Sequence, residues 1–494
     1  MINSKKRLTN KIVGREREKE VLTQLLISKK SEFLALYGRR RIGKTFLIRN
    51  FFSQTTCLFF NCTGIQDGKL SDQLTQFSKQ IGSIFYGGAA IVTRSRWLDA
   101  FEDLQKAIES TNKQEKIVLF FDEFPWMVTK RSGLLQALEY YWNHYWSQDP
   151  RIKVIICGSS ASWIIEKIIN NKAGLYNRVT RVMRLSPFTL SESRAFLTSL
   201  GVKLSQKQVL DLYMVLGGVP HYLALVTRGL SAHQCIDDLF FHKDGALVNE
   251  FDRLFASLFQ ESETYIKIIR IIAKYRYGIG QAQLIHESGA SEGGRIVSRL
   301  KELEEAGFIH SFLPIGHQEK GVYFKIIDEY VLFYLQWIEQ HLFSIRKLER
   351  NQGYWISKAQ SPKWKSWAGY AFEAICNKHL TQIRKALKID PGADAGSWRY
   401  VPRNQKDNTG AQIDLLFDRP DGTVTICEIK YSDRPFTIDK RYHHDLQSKI
   451  DVYKKYTKTK KHIFLAMITC SGLKPSKYVD EIVDQQTNLD VLFE

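Results

Sequence analysis

Two groups of residues in this sequence have types and spacings suited to chemistry. The first is Gly38-Arg39-Arg40-Arg41-Ile42-Gly43-Lys44-Thr45, which satisfies G-x-x-x-x-G-K-[ST] after an apolar run and before the helix start Phe46-Leu47-Ile48. Gly38 and Gly43 let backbone N–H groups wrap phosphate oxygens, Lys44 reaches the β/γ-phosphates, and the Thr45 hydroxyl ligates Mg²⁺. Further on, Ile117-Val118-Leu119-Phe120-Phe121 ends in Asp122 and Glu123. Asp122 is placed to hold the magnesium shell and Glu123 to polarise an attacking water. The next strand ends in Gly158-Ser159-Ser160, and Ser159 would sit beside the γ-phosphate if that strand lies between the other two. No N-K-x-D string follows the sheet, which favours ATP over a guanine nucleotide.

The second group lies in the C-terminal third. Two strand-like runs, Ala411–Phe417 and Val424–Lys430, flank the turn Arg419-Pro420-Asp421-Gly422. A three-residue loop with glycine in the left-handed conformation pairs Arg419 with Thr423 and sets Asp414 opposite Glu428. Residues two apart on a strand share a face, so Lys430 projects beside Glu428. Two carboxylates and a lysine then converge, offering oxygen ligands to a divalent metal and a cation to position or deprotonate water. Such ligands accept Mg²⁺ or Mn²⁺. The plain alternative is an ion-pair cluster on a hairpin.

The elements that must position these groups follow from apolar patterning. Short apolar strands at Phe33–Tyr37, Cys57–Asn61, Ile117–Phe121, Val154–Cys157 and Val182–Leu185 alternate with helical stretches, predicting an α/β domain with a parallel sheet over 1–185. Residues 186–255 read as a helical lid. Residues 256–340 read as three helices and a β-hairpin, a winged-helix-like module. Its third helix carries Arg295, Arg299 and Lys301 but also Glu302, Glu304 and Glu305, which favours a spacer or subunit contact over DNA readout. Residues 341–494 comprise a linker and a further α/β domain. Aromatic and basic residues interleave from Tyr354 to Tyr370, as a packed linker or a surface for stacking bases. A helix follows over Gly369–Leu380 with Glu373 near its start.

The first segment resembles the archaeal-type ATPases related to AAA+ and STAND proteins, over about residues 10–340. The resemblance rests on Val13-Gly14-Arg15-Glu16, the phosphate loop, FFDE, CGSS, Tyr176-Asn177-Arg178, Ser186-Pro187-Phe188 and Leu216-Gly217-Gly218-Val219-Pro220-His221-Tyr222. It implies that Gly14 and Arg15 lie against adenine, that Pro220 belongs to a nucleotide-sensing lid, and that Arg178 is a charge-stabilising arginine acting in cis or in trans. A trans role implies a homo-oligomer. Residues 365–470 resemble the PD-(D/E)XK nucleases through Glu373, Asp414 and the E-x-K pair Glu428 and Lys430, with Ile413 where the name-giving proline would stand. That resemblance implies a restriction-endonuclease-like fold and metal-dependent cleavage of nucleic acid, DNA before RNA.

Composition sets the outer limits. The chain has 494 residues, 44% of them hydrophobic and 25% charged, as expected of a multidomain globular protein. Its net charge is 71 − 52 = +19, spread along the sequence, and favours polyanionic partners. Seven cysteines without a C-x-x-C pair suit reduced thiols in the cytoplasm, and no apolar run is long enough to predict a membrane span.

Overall fold

The computed structural model describes residues 11–170, 177–289, 293–315, 321–350, 353–400, 402 and 410–494. The chain divides into two compact units. One comprises Met1–Pro187 with Ser298–Gly307, the other Phe188–Val297 with Phe308–Glu494.

The first unit is built on five strands: β1 (Glu32–Tyr37), β2 (Leu58–Thr63), β3 (Ile117–Asp122), β4 (Ile152–Gly158) and β5 (Arg181–Arg184). They are parallel, in the order β2-β3-β4-β1-β5. β3 and β4 are buried along their whole lengths, which is why their sequences are continuous apolar runs rather than alternating ones. Phe60, Phe77, Phe101 and Phe121 pack on one face; Leu34, Leu36, Val118 and Ile155 pack on the other. β4 lies between β1 and β3, the condition under which Ser159 falls between the phosphate loop and Asp122.

The end of the helix Gly293–Glu305 belongs to this first unit. There the Arg184 guanidinium donates to the carbonyls of Glu304 and Glu305 at 3.2 and 3.3 Å, groups that a helix terminus leaves unpaired. The acidic half of that helix is therefore engaged within the chain.

The second unit begins with the helices Leu190–Ser199 and Gln206–Leu216. The Gly217-Gly218 turn that follows is shaped by packing: a Cβ on Gly218 would stand 1.9 Å from the Phe188 carbonyl oxygen, and the Gly218 carbonyl accepts from Phe188 N–H at 2.7 Å. Helices Ser262–Ala273 and Gln281–Ser288 accompany a small antiparallel sheet of β6 (Ile279–Gly280), β7 (Ile309–Phe312) and β8 (Tyr323–Ile326), in the order β6-β8-β7.

The stretch expected to be a linker is instead core. Ser361 caps a helix over Pro362–Lys378 by accepting from Trp364 N–H at 3.2 Å, with Pro362 in the first turn. Glu373 thus lies well inside that helix rather than near its start. Trp364, Trp367, Ala368, Ala371, Phe372 and Ile375 form its buried face, at the three- and four-residue spacing of an amphipathic helix. The rings of Phe333, Trp337, Trp355, Trp364 and Trp367 lie with centroids 5.0–6.4 Å apart in successive pairs, and Trp355 is fully buried. A role for these tryptophans in stacking bases is thereby corrected: burial has taken the surface that stacking needs.

Beyond it stands a mixed sheet of β9 (Asp394–Tyr400), β10 (Ala411–Asp418), β11 (Thr423–Lys430), β12 (His462–Thr469) and β13 (Gln485–Thr487), in the order β13-β12-β11-β10-β9. β9, β10 and β11 pair antiparallel; β11, β12 and β13 pair parallel. The helix Lys440–Thr457 makes the crossover from β11 to β12.

Candidate functional site

The phosphate loop leaves β1 at Gly38, where a side chain is excluded because a Cβ would approach the Leu185 carbonyl oxygen to 2.4 Å. Gly43 takes φ +89° and opens the helix Lys44–Phe52. Lys44 is 5% exposed and arches back over the loop, donating to the carbonyls of Gly38 and Arg39 at 2.8 and 3.0 Å. Those bonds hold the ammonium inside the ring of backbone N–H groups that would receive phosphate.

Thr45 Oγ1 donates to Asp122 Oδ1 at 3.1 Å, so the two groups that fit a nucleotide-bound Mg²⁺ are already in contact. Burial raises the Asp122 pKa above the ordinary carboxylate value. Glu123 takes φ 44° and turns its carboxylate toward the end of β4. Its Oε1 accepts from the Ser159 hydroxyl at 2.7 Å and its Oε2 from the Ser159 N–H at 3.2 Å.

Arg15, also at positive φ and 4% exposed, donates to the Ile42 carbonyl at 3.4 Å, which docks the Gly14-Arg15 turn on the phosphate loop. Arg178 is exposed in the first unit. Pro220 opens the short helix Pro220–Leu223 in the second unit. Tyr176 lies outside the described residues.

The second group is assembled by β10 and β11, whose register runs Leu415↔Cys427 to Asp418↔Val424 and closes with Arg419 N–H to the Thr423 carbonyl at 3.0 Å. Continued by one residue, this register sets Asp414 across from Glu428. Glu428 is 3% exposed, and cations surround it: Lys430 stands 2.9 Å from Oε1 and Lys449 2.5 Å from Oε2, while the Tyr442 hydroxyl donates to Oε1 at 2.6 Å. Burial works to raise its pKa and is outweighed by Lys449 and Lys430 and by the hydrogen bonds, which hold it at about 2.

Asp414 and Glu373 behave in the opposite way. Burial, then the charge of Glu428, raises the pKa of Asp414, which accepts from the Gln412 amide at 2.5 Å. Burial, then the charge of Asp414, lifts Glu373 to about 7 despite Arg276 at 3.2 Å. Two buried carboxylates that resist ionising side by side form a donor set suited to a hard divalent cation. Among the described residues, no group of three or more His, Cys, Asp or Glu is arranged to hold a metal ion.

Sequence reasoning missed Tyr442 and Lys449. They lie seven residues apart on the helix Lys440–Thr457, hence on one face, and both reach Glu428. It also missed Arg276, which the fold brings from the winged-helix-like module to Glu373. Gln447, also on the crossover helix, lines a separate shallow groove with His444 and Asp451.

No helix among the described residues is long and apolar enough to cross a membrane. An uncharacterized protein of Methanocaldococcus jannaschii is 26% identical over 453 residues, covering 90% of this chain and 94% of its own. Among solved structures, the Walker-type ATPase of Pyrococcus abyssi is 19% identical, with a TM-score of 0.47, covering 66% of this chain and 96% of that one. The RuvB Holliday junction branch migration motor of Thermotoga maritima is 16% identical, with a TM-score of 0.33, covering 61% and 90%. Residues 12–226 match the family model described as an ATPase domain predominantly from Archaea. By that match, together with the phosphate loop and its Thr45–Asp122 pair, the chain carries an archaeal-type ATPase domain.

Proposed function

We propose that the protein is a cytoplasmic ATP-hydrolysing switch whose second unit holds a metal-dependent nuclease centre acting on nucleic acid, DNA before RNA. The carrying observation is that Glu373, Asp414, Glu428 and Lys430, from one helix and two strands, come together at a cavity that Glu373 and Asp414 line.

In the first unit Lys44 neutralises phosphate charge, Thr45 and Asp122 would hold Mg²⁺, and Glu123 orients water under the control of Ser159. Gly14 and Arg15 support the nucleotide from the side of the loop. Arg178, exposed, is offered to a neighbouring copy's ATP in a homo-oligomer, and Pro220 belongs to the segment that senses nucleotide. In the second unit Asp414 and Glu428 would hold Mg²⁺ or Mn²⁺, with Glu373 assisting from the helix. Bound there, the cation would polarise a phosphodiester and lower the pKa of water. Lys430 and Lys449 keep Glu428 ionised, and Lys430 is placed to steady a phosphate oxygen.

A second reading is favoured by one observation: both oxygens of Glu428 are already engaged by Lys430, Lys449 and Tyr442. Under it the protein is an ATP-driven switch or scaffold whose domain binds nucleic acid or protein without cutting. The experiment is a cleavage assay on several nucleic acids with and without ATP and Mg²⁺, comparing wild type with Glu428→Ala and Lys44→Ala. Metal-dependent cutting lost in Glu428→Ala supports the nuclease reading; ATP-dependent binding without cutting supports the second. ATP affinity unchanged in Lys44→Ala refutes the assignment of the phosphate loop.

A further inference from the structure

The Glu373 and Asp414 carboxylates do not open onto a broad surface. They stand in a cavity of about 370 Å³ whose opposite wall is the winged-helix-like module. Phe312 and Tyr323 from β7 and β8 face Tyr370, Trp398 and Tyr400 across it, with Tyr277 at its edge. Cavities near 300 Å³ hold one small ligand, and this one combines aromatic walls with a few polar groups in the way such sites do.

The cations complete the picture. Arg276 and Arg399 line the cavity, each with its guanidinium over an aromatic ring: Arg276 is 4.9 Å from Tyr370 and Arg399 is 4.9 Å from Tyr277. Lys325 projects from β8 into the same space. Among the described residues its ammonium has no hydrogen-bond or ion-pair partner, and it rests 5.2 Å from the Phe312 ring. Burial of that ammonium outweighs the attraction of the Glu373 and Asp414 carboxylates in the same cavity, and a bound phosphate would relieve the cost. A second groove of about 650 Å³, with Arg270, Lys274 and Lys363 on its walls, adjoins the cavity at Arg276 and Tyr370.

We infer that this composite cleft takes single-stranded nucleic acid, with one unpaired nucleotide seated between the winged-helix-like module and the mixed sheet. A duplex keeps its bases stacked inside and cannot present one to a cavity of this size. A single strand follows a basic groove by its backbone and offers each base to aromatic side chains, whatever the sequence. Lys325 takes a phosphate oxygen, and Tyr323 forms part of the wall against the base. The winged-helix-like module is then a wall of the carboxylate site rather than a separate reader of duplex DNA. The inference rests on the nuclease reading only for what happens after binding.

The test uses the full chain and fluorescence anisotropy with a labelled 20-nucleotide deoxyoligothymidylate and a blunt duplex of the same length. The expected result is at least tenfold tighter binding of the strand. Lys325→Met and Tyr323→Ala should each weaken strand binding about tenfold, leave ATP hydrolysis unchanged and barely alter duplex binding. Tyr323→Phe keeps the ring and should bind as wild type does, which separates loss of the wall from loss of folding. Equal or tighter duplex binding overturns the inference, as does wild-type strand affinity in both Lys325→Met and Tyr323→Ala. Cutting that depends on Glu428 but not on Lys325 or Tyr323 also defeats it, and leaves the nuclease reading standing. Strand binding that depends on both, without cutting by any form, upholds it and defeats the nuclease reading.

Discussion

Ser159→Ala tests how the ATPase centre is held. The Ser159 hydroxyl donates to Glu123 at 2.7 Å, and only the longer 3.2 Å bond from the backbone N–H would remain in the variant. A hydrogen bond to a charged group contributes about 1.5–3 kcal/mol, and each 1.36 kcal/mol is tenfold in rate. If the hydroxyl aims Glu123 at water, its loss slows hydrolysis by roughly 10- to 150-fold, nearer the lower figure because the N–H persists. ATP affinity should change little, since Lys44 and the loop N–H groups are untouched. Ser159→Thr keeps a hydroxyl and should retain most of the rate. The assay pairs steady-state phosphate release with equilibrium ATP binding. A rate in Ser159→Ala equal to or above that of wild type would refute the reasoning, because the bond would then hold Glu123 away from its work. A large loss of ATP affinity would refute it differently, by placing Ser159 in binding.

Arg178→Ala should lower ATP turnover most at high protein concentration, where wild-type turnover per chain should rise as copies assemble; turnover independent of concentration in both would remove the trans role. The raised pKa of Glu373 has a definite sign. Its folded value of about 7 against an ordinary 4.5 means that the folded state binds more protons between those pH values, so stability is lost as pH rises through that window, by up to about 3 kcal/mol. Hydrogen exchange in the helix Pro362–Lys378 should quicken from pH 5 to pH 8, after correction for intrinsic rates, and Glu373→Gln should flatten the trend. Trp355→Ala removes a fully buried indole stacked 5.0 Å from Phe241 and should destabilise the second unit by about 3–5 kcal/mol, read by thermal unfolding, while nucleotide binding in the first unit persists.

What the sequence made legible was whatever local chemistry dictates. The phosphate loop needs glycine at 38 and 43 for backbone reasons, and the short loop at Pro420-Asp421-Gly422, with Gly422 at φ +78°, fixes the register of β10 on β11. Partners supplied from a distance were hidden. Arg276 reaches Glu373, and Lys325 enters the same cavity, only because one module packs on another, an arrangement that no local spacing encodes. Lys449 is one lysine among many on a basic helix until the fold sets it against Glu428. The tryptophan helix was readable in part: its apolar positions have helical spacing, which accords with packing, while the interleaved Lys358, Lys363 and Lys365 are equally compatible with a basic surface. Those lysines occupy the exposed side, as amphipathic packing requires.

The aromatic cluster also limits how this protein can be taken apart or recombined. Phe241 comes from the helical segment, Phe333 and Trp337 from the end of the winged-helix-like module, and Trp355, Trp364 and Trp367 from the approach to the mixed sheet. The Trp355 backbone N–H is tied to the Asp237 carboxylate at 2.6 Å as well. A cleavage between residues 340 and 360 would leave half of one core on each fragment, with large apolar rings bared on both. A C-terminal fragment begun there should therefore aggregate. Any transplant of the mixed-sheet domain would have to carry this cluster along or match it ring for ring.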